Sequence, residues 1–340
     1  MPTESFDLPD AKSAASTTSV APRGRRRVLR RIAVGLLLLA AALTALFVVN
    51  GTLLSRGETP TVEILSEPSG DAWEDRRPLT VKVLAFNIAK CFAYQEGATF
   101  EDVGAVRQRI EEISKLIRAE QPDYVFLSEV LAECGPCPVN QGAEVARATG
   151  MHVWAFGENF NFGIPKYRVV GGNAILSRWP IETVGNPSLA GRRPFYVTKN
   201  NRRVLWCATR IGGERVLLAS IHNDSFNRIN NAQQMQQILD FVGDQPAILA
   251  GDFNALPEWE AIQLVRESGW FSKPIEEPLT FPSDAPDRRI DYVFAPASWE
   301  LLDDRVLDNT VSDHRAVVAT FRVNQSRNPD AEPSGDNHRN

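Results

Sequence analysis

A strong charge of one sign is missing from this chain. Net charge is −5 over 340 residues, and the basic character is concentrated in the N-terminal thirty or so. A folded part with that balance is no bulk nucleic-acid binder, so a phosphate-bearing partner has to be met by a local patch or a metal ion. Cysteine and histidine are scarce, four of each. No sequence repeats at a fixed short period, and no interleaving of aromatic and basic residues suggests a groove that stacks single-stranded nucleic acid. Hydrophobic residues make up 43% and charged residues 23%, near globular averages, so a packed core is attainable.

Charge is also absent from Ile32–Val49, eighteen residues that reach the lower limit for crossing a bilayer and that Asn50–Leu54 can extend. Six arginines precede this run between Arg23 and Arg31, and the next arginine after it is Arg56. That asymmetry places the N-terminus in the cytoplasm and the rest of the chain outside it. A cleaved signal peptide is the competing reading, but no clean small-x-small site follows the run, which is long for a signal core. Arg25-Arg26 faintly resembles a twin-arginine export signal. The expectation is an uncleaved anchor over 25–54, with export after signal cleavage as the alternative. It follows a disordered cytoplasmic tail (1–24) and precedes a linker or strand of approach (55–78), a folded domain (79–324) and a disordered tail (325–340).

Within 79–324 apolar runs alternate between the two periods. Strands are expected at Thr80–Ile88, Tyr124–Val130, Met151–Phe156, Tyr167–Leu176, Arg203–Ile211, Arg215–His222, Ala247–Ala250, Ile290–Ala295 and Arg315–Val323. Helices are expected at Asp102–Arg118, whose Val103, Val106, Ile110, Ile113 and Ile117 form one stripe, and at Gly142–Thr149, Arg228–Val242 and Glu258–Ser268. Strands and helices alternate, yet several strands are joined as hairpins. The fold class implied is α/β (α+β): two packed mixed β-sheets flanked by helices, a four-layer sandwich preceded by one transmembrane helix.

The polar residues that matter sit where apolar strands end. Asp252 and Asn254 follow the run Ala247–Ala250 and Gly251, and in extended chain i and i+2 share one side. Asn87, Glu129, Asp291 and Asp313 stand at other strand ends, with His222 and His314 beside them. A cap, a turn or a salt bridge explains any one of these; the recurrence points to a shared site, because strand ends are held rigidly while open to solvent. Carboxylates and amides without a cysteine cluster form a hard oxygen set, suited to Mg²⁺, Mn²⁺ or Ca²⁺ rather than zinc. Cleaving a phosphate ester needs charge neutralised on the non-bridging oxygens and a base for water, and these side chains can provide both.

These stretches resemble the endonuclease/exonuclease/phosphatase superfamily of metal-dependent phosphoesterases. The matching segments, in the family's order, are Ala85-Phe-Asn-Ile88, Leu127-Ser-Glu-Val130, Gly172-Asn-Ala-Ile-Leu-Ser-Arg178, Ser220-Ile-His222, Ala250-Gly-Asp-Phe-Asn254, Arg289-Ile-Asp-Tyr292 and Ser312-Asp-His314. The resemblance implies that Asn87, Glu129 and Asp313 bind the metal. It implies that Asp252 and Asn254 position water or phosphate, that His314 paired with Asp291 contacts the phosphate or moves a proton, and that His222 serves as general acid or phosphate ligand. Asn173 could donate to phosphate or merely shape a turn. The function implied is hydrolysis of phosphate esters, most simply diesters. Nucleic acid or a phospholipid headgroup would be the substrate, the membrane the only attachment, and no obligate protein partner is implied. A phosphomonoesterase or a non-catalytic binding module on the same scaffold are the alternatives.

Two features depart from that pattern. Cys134-Gly-Pro-Cys137 has the spacing of a thiol-redox motif, but Pro138 follows directly where a helix should start. In an oxidising compartment a disulfide is expected instead, joining Cys91 to Cys134 or Cys137, or Cys134 to Cys137; Cys207 reads as a buried thiol. The basic segment Gly191–Arg203 either contacts a polyanionic or lipid-headgroup substrate or is a solvated hairpin tip.

Overall fold

The computed structural model describes residues 23–66, 79–94, 99–199 and 201–324. Of the tail expected at 1–24, residues 1–22 lie outside the described residues, as do the tail expected at 325–340 and the stretch 67–78. Two compact units are present, Met1–Ala45 and Leu46–Asn340. The first holds most of α1 (Arg23–Thr52), a helix long and apolar enough to cross a membrane.

The second unit runs β1 (Thr61–Ile64), β2 (Thr80–Asn87), α2 (Val103–Glu120), β3 (Tyr124–Cys134), α3 (Gln141–Ala148), β4 (Val153–Ile164), β5 (Tyr167–Ser177), β6 (Glu182–Gly185), β7 (Leu205–Ile211), β8 (Glu214–His222), α4 (Arg228–Val242), β9 (Ala247–Asp252), α5 (Glu260–Ser268), β10 (Asp291–Phe294), β11 (Glu300–Val306) and β12 (Val317–Arg322). Seven strands form one sheet in the order β1-β4-β5-β3-β2-β12-β11, and five form a second in the order β10-β9-β8-β7-β6. Each contains one parallel pair, β2 with β3 and β8 with β9; every other neighbour is antiparallel. Both sheets are therefore mixed, as expected. The segment read as a linker or strand of approach supplies the edge strand β1, paired with β4.

The period-2 alternation of β2 shows how the layers are stacked. Val81, Val83 and Ala85 point between the sheets, where they meet Leu218, Ile248 and Ala250 of the second sheet. Leu84 and Phe86 point the other way, onto Val106, Ile110, Ile113 and Ile117 of α2. On the far side, Leu217, Ala219 and Leu249 pack under Met235, Ile238 and Leu239 of α4 and Ile262 of α5. A strand buried on both faces has to be apolar throughout, which is why these strands read as runs rather than alternations. Three helices, α2, α3 and α4, begin where a short polar side chain closes the first turn: Asp102 accepts from Gly104 N–H at 2.7 Å, Asn140 from Ala143 N–H at 3.0 Å and Asn227 from Ile229 and Asn230 N–H at 3.0 Å each.

The disulfide expectation fails. Cys91, Cys134, Cys137 and Cys207 are all free and buried. Burial pushes each thiol above its ordinary value, so none is an activated nucleophile. Nor does a helix start at Cys134; the chain turns through Cys137, whose N–H bonds Cys134 O at 3.2 Å, and α3 begins at Gln141.

Candidate active site

The register of the second sheet lines up three of the expected residues. His222 ends β8 opposite Asp252 at the end of the parallel strand β9, and Asp252 in turn faces Asp291 on β10. Asp291 opens its strand rather than ending it; because β10 runs antiparallel to β9, its start lies at the same rim. Gly251, with φ +137°, lets this rim close: a Cβ there would sit 2.2 Å from Ile221 O.

From the first sheet, Asn87 ends β2 and Glu129 follows one residue after its cross-strand partner Ser128. Glu129 is in a register break between Leu127 and Val130, with φ 54°, a left-handed conformation that costs a non-glycine residue about 1–2 kcal/mol. Ala89, Lys90, Cys91 and Phe92 are left-handed as well, and this turn carries Lys90 onto the Glu129 carboxylate as an ion pair. Such clustered strain at one rim is typical of sites where geometry is set by function.

The two rims meet side chain to side chain. Asn87 Nδ2 donates to Asp252 Oδ2 at 3.0 Å. His314 Nδ1 donates to Asp291 Oδ2 at 2.9 Å, and its Nε2 lies 3.8 Å from Asp252 Oδ2. His222 Nε2 lies 3.5 Å from Asp252 Oδ2 and 3.8 Å from Glu129 Oε1. Asp252 Oδ1 accepts from Asn254 N–H at 2.9 Å. Among the described residues, Asp252, Asp291 and His314 form the one group whose donor atoms all lie within 4.8 Å of one another. Glu129, Asp252 and His314, far apart in sequence, therefore share one site.

Electrostatics divide the two histidines. Burial opposes charge on His314, but Asp291 and Asp252 outweigh it, so its proton affinity rises and the ring is an imidazolium near neutral pH. His222 moves the other way, well below its ordinary value, through burial and the nearby Arg202, His314 and Lys90. Arg202 Nη1 donates to His222 Nδ1 at 2.8 Å. Because the guanidinium has only donors, Nδ1 must accept, and the ring proton sits on Nε2. Asp252, buried beside Asp291, has its proton affinity raised, with His314 acting against the rise. Lys90 is lowered to about 8 by burial.

Two expectations need correction. Asn173 lies mid-strand in β5, and both amide hydrogens are committed, to Ser220 O at 3.2 Å and Arg203 O at 3.4 Å. It ties the sheets together and has no donor left for phosphate. Asn254 does not share a face with Asp252, because the strand stops at Asp252 and Asn254 is left-handed, φ 48°. Its side chain donates to Asn223 O at 3.1 Å, while its N–H fixes the Asp252 carboxylate. Asp313 is exposed next to the buried His314, its Oδ1 3.3 Å from Ser312 Oγ.

A cleft of 630 Å³ reaches this rim at Glu129 and His222 and continues past Lys90, Lys199, Arg202 and Phe226. Lys90 and Arg202 were not among the residues expected at the site. Lys90 stands three residues after Asn87, but nothing in the sequence marks the left-handed turn that swings it onto Glu129. Arg202 lies in the basic segment 191–203, so part of that segment is cleft wall rather than solvated tip.

The donor set suits a divalent cation. Glu129, Asp252, Asp291 and Asp313 bring four carboxylates to one rim, and Asp291 Oδ1 is buried without a hydrogen-bond partner among the described residues. Hard oxygen donors in this number fit Mg²⁺, Mn²⁺ or Ca²⁺.

Fold and rim together define a class: a two-sheet phosphoesterase scaffold with its acidic and histidine residues at one end. The chain belongs to the Endonuclease/Exonuclease/phosphatase family, whose pattern it matches over residues 84–314. Solved structures share the fold. An endonuclease/exonuclease/phosphatase from Beutenbergia cavernae is 21% identical with a TM-score of 0.53, the alignment covering 73% of this chain and 72% of that one. A family protein from Leptotrichia buccalis is 18% identical with a TM-score of 0.54, over 72% and 100%. A mannosyl-6-phosphatase from Bacteroides thetaiotaomicron is 16% identical with a TM-score of 0.53, over 71% and 99%. No curated protein matches the chain in sequence. The family is one of divalent-metal-dependent phosphoester hydrolases, and the buried Asp252–Asp291–His314 group is in keeping with it.

Proposed function

We propose that the protein is a divalent-metal-dependent phosphodiester hydrolase held at a membrane by α1, with its catalytic unit on the extracytoplasmic side. The observation that carries the reading is the row His222–Asp252–Asp291 closed by His314, met from the other sheet by Asn87 and Glu129. Asn87 and Glu129, with Asp313, would hold the metal. When bound, the ion supplies positive charge to the non-bridging oxygens of the phosphate.

The chain's own residues divide the remaining work. Asp252 is the base for water: its proton affinity is raised, and Asn254 N–H and Asn87 Nδ2 fix both oxygens. His314, held by Asp291, presents an imidazolium Nε2–H to the phosphate or the leaving oxygen. His222, neutral and turned by Arg202, offers Nε2–H as a hydrogen-bond donor, which supports the phosphate-ligand role over that of general acid. Water forms one O–P bond, the O–P bond to the leaving alcohol breaks, and that alcohol takes a proton. The cleft beside Glu129 leaves room for a group on the second ester oxygen, which favours a diester.

The arginine cluster before the apolar run supports a cytoplasmic N-terminus. Retention of the anchor is supported by its own last turn: Asn50 and Gly51 of α1 are buried in the catalytic unit, an odd use for residues at a cleavage point. Turnover of bis-p-nitrophenyl phosphate with Mg²⁺ or Mn²⁺, before and after EDTA, tests the chemistry. Activity unaffected by EDTA or by Asp252→Ala would refute it. Protease digestion of right-side-out and inside-out vesicles tests the orientation, and protection of the catalytic unit in right-side-out vesicles would reverse it.

A further inference from the structure

The last turns of α1 are built into the catalytic unit. The Phe47 ring lies 5.2 Å from Phe162 and 5.3 Å from Phe195. Asn50, fully buried, donates to Asn161 Oδ1 at 2.8 Å and accepts from Asn161 Nδ2 at 3.3 Å through its carbonyl. Arg168 Nη1 donates to Asn50 Oδ1 at 3.3 Å. Further on, Ser55 Oγ and Arg56 N–H both reach the Glu158 carboxylate. The apolar run, about 27 Å of helix from Ile32, ends at Val49, within this packed end of α1.

That place adjoins the cleft. Phe195 belongs to segment 191–203, which contributes Thr198, Lys199 and Arg202 to the cleft wall. Phe195 packs edge-on against Tyr196, itself 57% exposed. Arg192, Arg193 and Lys199 are exposed on the same segment. At its start the segment rests on the first turn of α4, where a Cβ on Gly191 would come within 2.5 Å of Asn230 Nδ2. Beside Asn230 is Ile229, 70% exposed, and just before the helix is Phe226, in the cleft wall and 76% exposed. The cleft wall at Lys199, Arg202 and Phe226 is thus continuous in chain with the exposed Tyr196, Ile229, Arg192 and Arg193, and through Phe195 it touches Phe47 at the packed end of α1. Nucleic acid would use the cations and could stack single-stranded bases on Phe226 and Tyr196, but it leaves the exposed Ile229 unmatched; a headgroup layer uses all of them.

We propose that this rim rests in the headgroup layer of the membrane that α1 enters, and that the substrate is a phospholipid whose phosphodiester enters the cleft from the bilayer surface. The proposal rests on the hydrolase reading above. Water adds to phosphorus, one P–O ester bond breaks, and the products are a phosphomonoester and an alcohol, one of them left in the membrane.

The full chain in mixed micelles of non-ionic detergent and phospholipid, with Mg²⁺, is assayed for headgroup release, and in parallel on bis-p-nitrophenyl phosphate and duplex DNA. The double variant Tyr196→Asp, Ile229→Asp changes two exposed side chains outside the catalytic set. The expected result is release of phospholipid headgroup that falls at least about tenfold in the double variant, while bis-p-nitrophenyl phosphate turnover stays within about twofold. Cleavage of the soluble diester or of DNA with no headgroup release overturns the lipid proposal and leaves the hydrolase reading intact. Headgroup release undiminished in the double variant, or a fall shared equally by both substrates, overturns the docking rim. Failure on every substrate overturns the hydrolase reading itself, and the lipid proposal with it.

Discussion

Strands β2 and β3 carry charged neighbours at both ends, and the ends differ in how those charges are matched. At the amino-terminal end, Lys82 Nζ donates to Glu120 O at 2.9 Å, and Asp123 accepts from Lys82 N–H at 2.8 Å and the Trp179 indole at 2.9 Å. Arg305 reaches Glu120 at 2.6 Å. Roughly 20 Å along the strands, the carboxyl-terminal end gathers Glu129, Asp252, Asp291 and Asp313 with Lys90, Arg202 and the His314 imidazolium, and it leaves Asp291 Oδ1 buried without a hydrogen-bond partner among the described residues. One end is complete in itself; the other is poised for a bound cation and a phosphate. A buried carboxylate without a partner costs stability, and proteins keep such groups where function requires them.

The largest effect that would sharpen the contrast is on catalysis. His314→Ala or Asp252→Ala should lower bis-p-nitrophenyl phosphate turnover about a thousandfold, near 4 kcal/mol of barrier, with no comparable loss from changes at the other end. A fall of less than about tenfold in both variants would remove the two residues from the chemistry. Next in size is the response to metal. If the acidic rim is completed by a cation, Mg²⁺ at about a hundred times its dissociation constant should stabilise the fold by about 2.7 kcal/mol. That is a rise in thermal midpoint of the order of 5 °C, and Glu129→Gln should abolish most of it. A midpoint in the wild-type chain indifferent to Mg²⁺, Mn²⁺ and Ca²⁺ would break the contrast.

The two ends also differ in how much of them the sequence reveals. Asn87, Asp252, Asp291 and His314 were legible because each stands at or just beyond the end of an apolar run; Glu129 interrupts one inside β3, at its register break, and Asn173 shows that a polar residue in mid-strand can instead tie the sheets together. Even the small scale is partly legible: Gly251 before Asp252 marks a backbone approach that a Cβ would block. What escaped depends on dihedral angles. Lys90 reaches Glu129 through four left-handed residues with no glycine among them, and Asn254 turns away from its extended position at φ 48°. Composition reported Arg202 as one cation in a basic segment; only the packing shows it bonded to His222. The amino-terminal end was not read at all, since Lys82, Glu120, Asp123 and Arg305 look like ordinary surface charges until the sheet brings them together.

Disabling the amino-terminal end should cost stability and spare activity. Asp123→Ala removes the acceptor for Lys82 N–H and the Trp179 indole, leaving part-buried donors, at a cost of about 1–3 kcal/mol. Chemical denaturation would show the loss, while bis-p-nitrophenyl phosphate turnover at a temperature where the variant is folded should match the wild type; lost activity in the folded variant would mean that the two ends are coupled.

The smallest effect is at Arg305. Its hydrogen bond lowers the Glu120 proton affinity, with burial working against it. A carboxylate whose folded-state value is depressed contributes stability above its unfolded value, about 4.3, and loses that contribution as pH falls through the folded value. The pair is partly solvent-exposed, with the Arg305 side chain at 41%, so screening limits its worth to about 0.5 kcal/mol. Arg305→Gln should therefore lower the thermal midpoint by about 1–2 °C at pH 7, and the gap should close as pH approaches 3. A gap that persists unchanged at acid pH would mean that Arg305 acts through packing of its aliphatic stem over the sheet edge rather than through its charge.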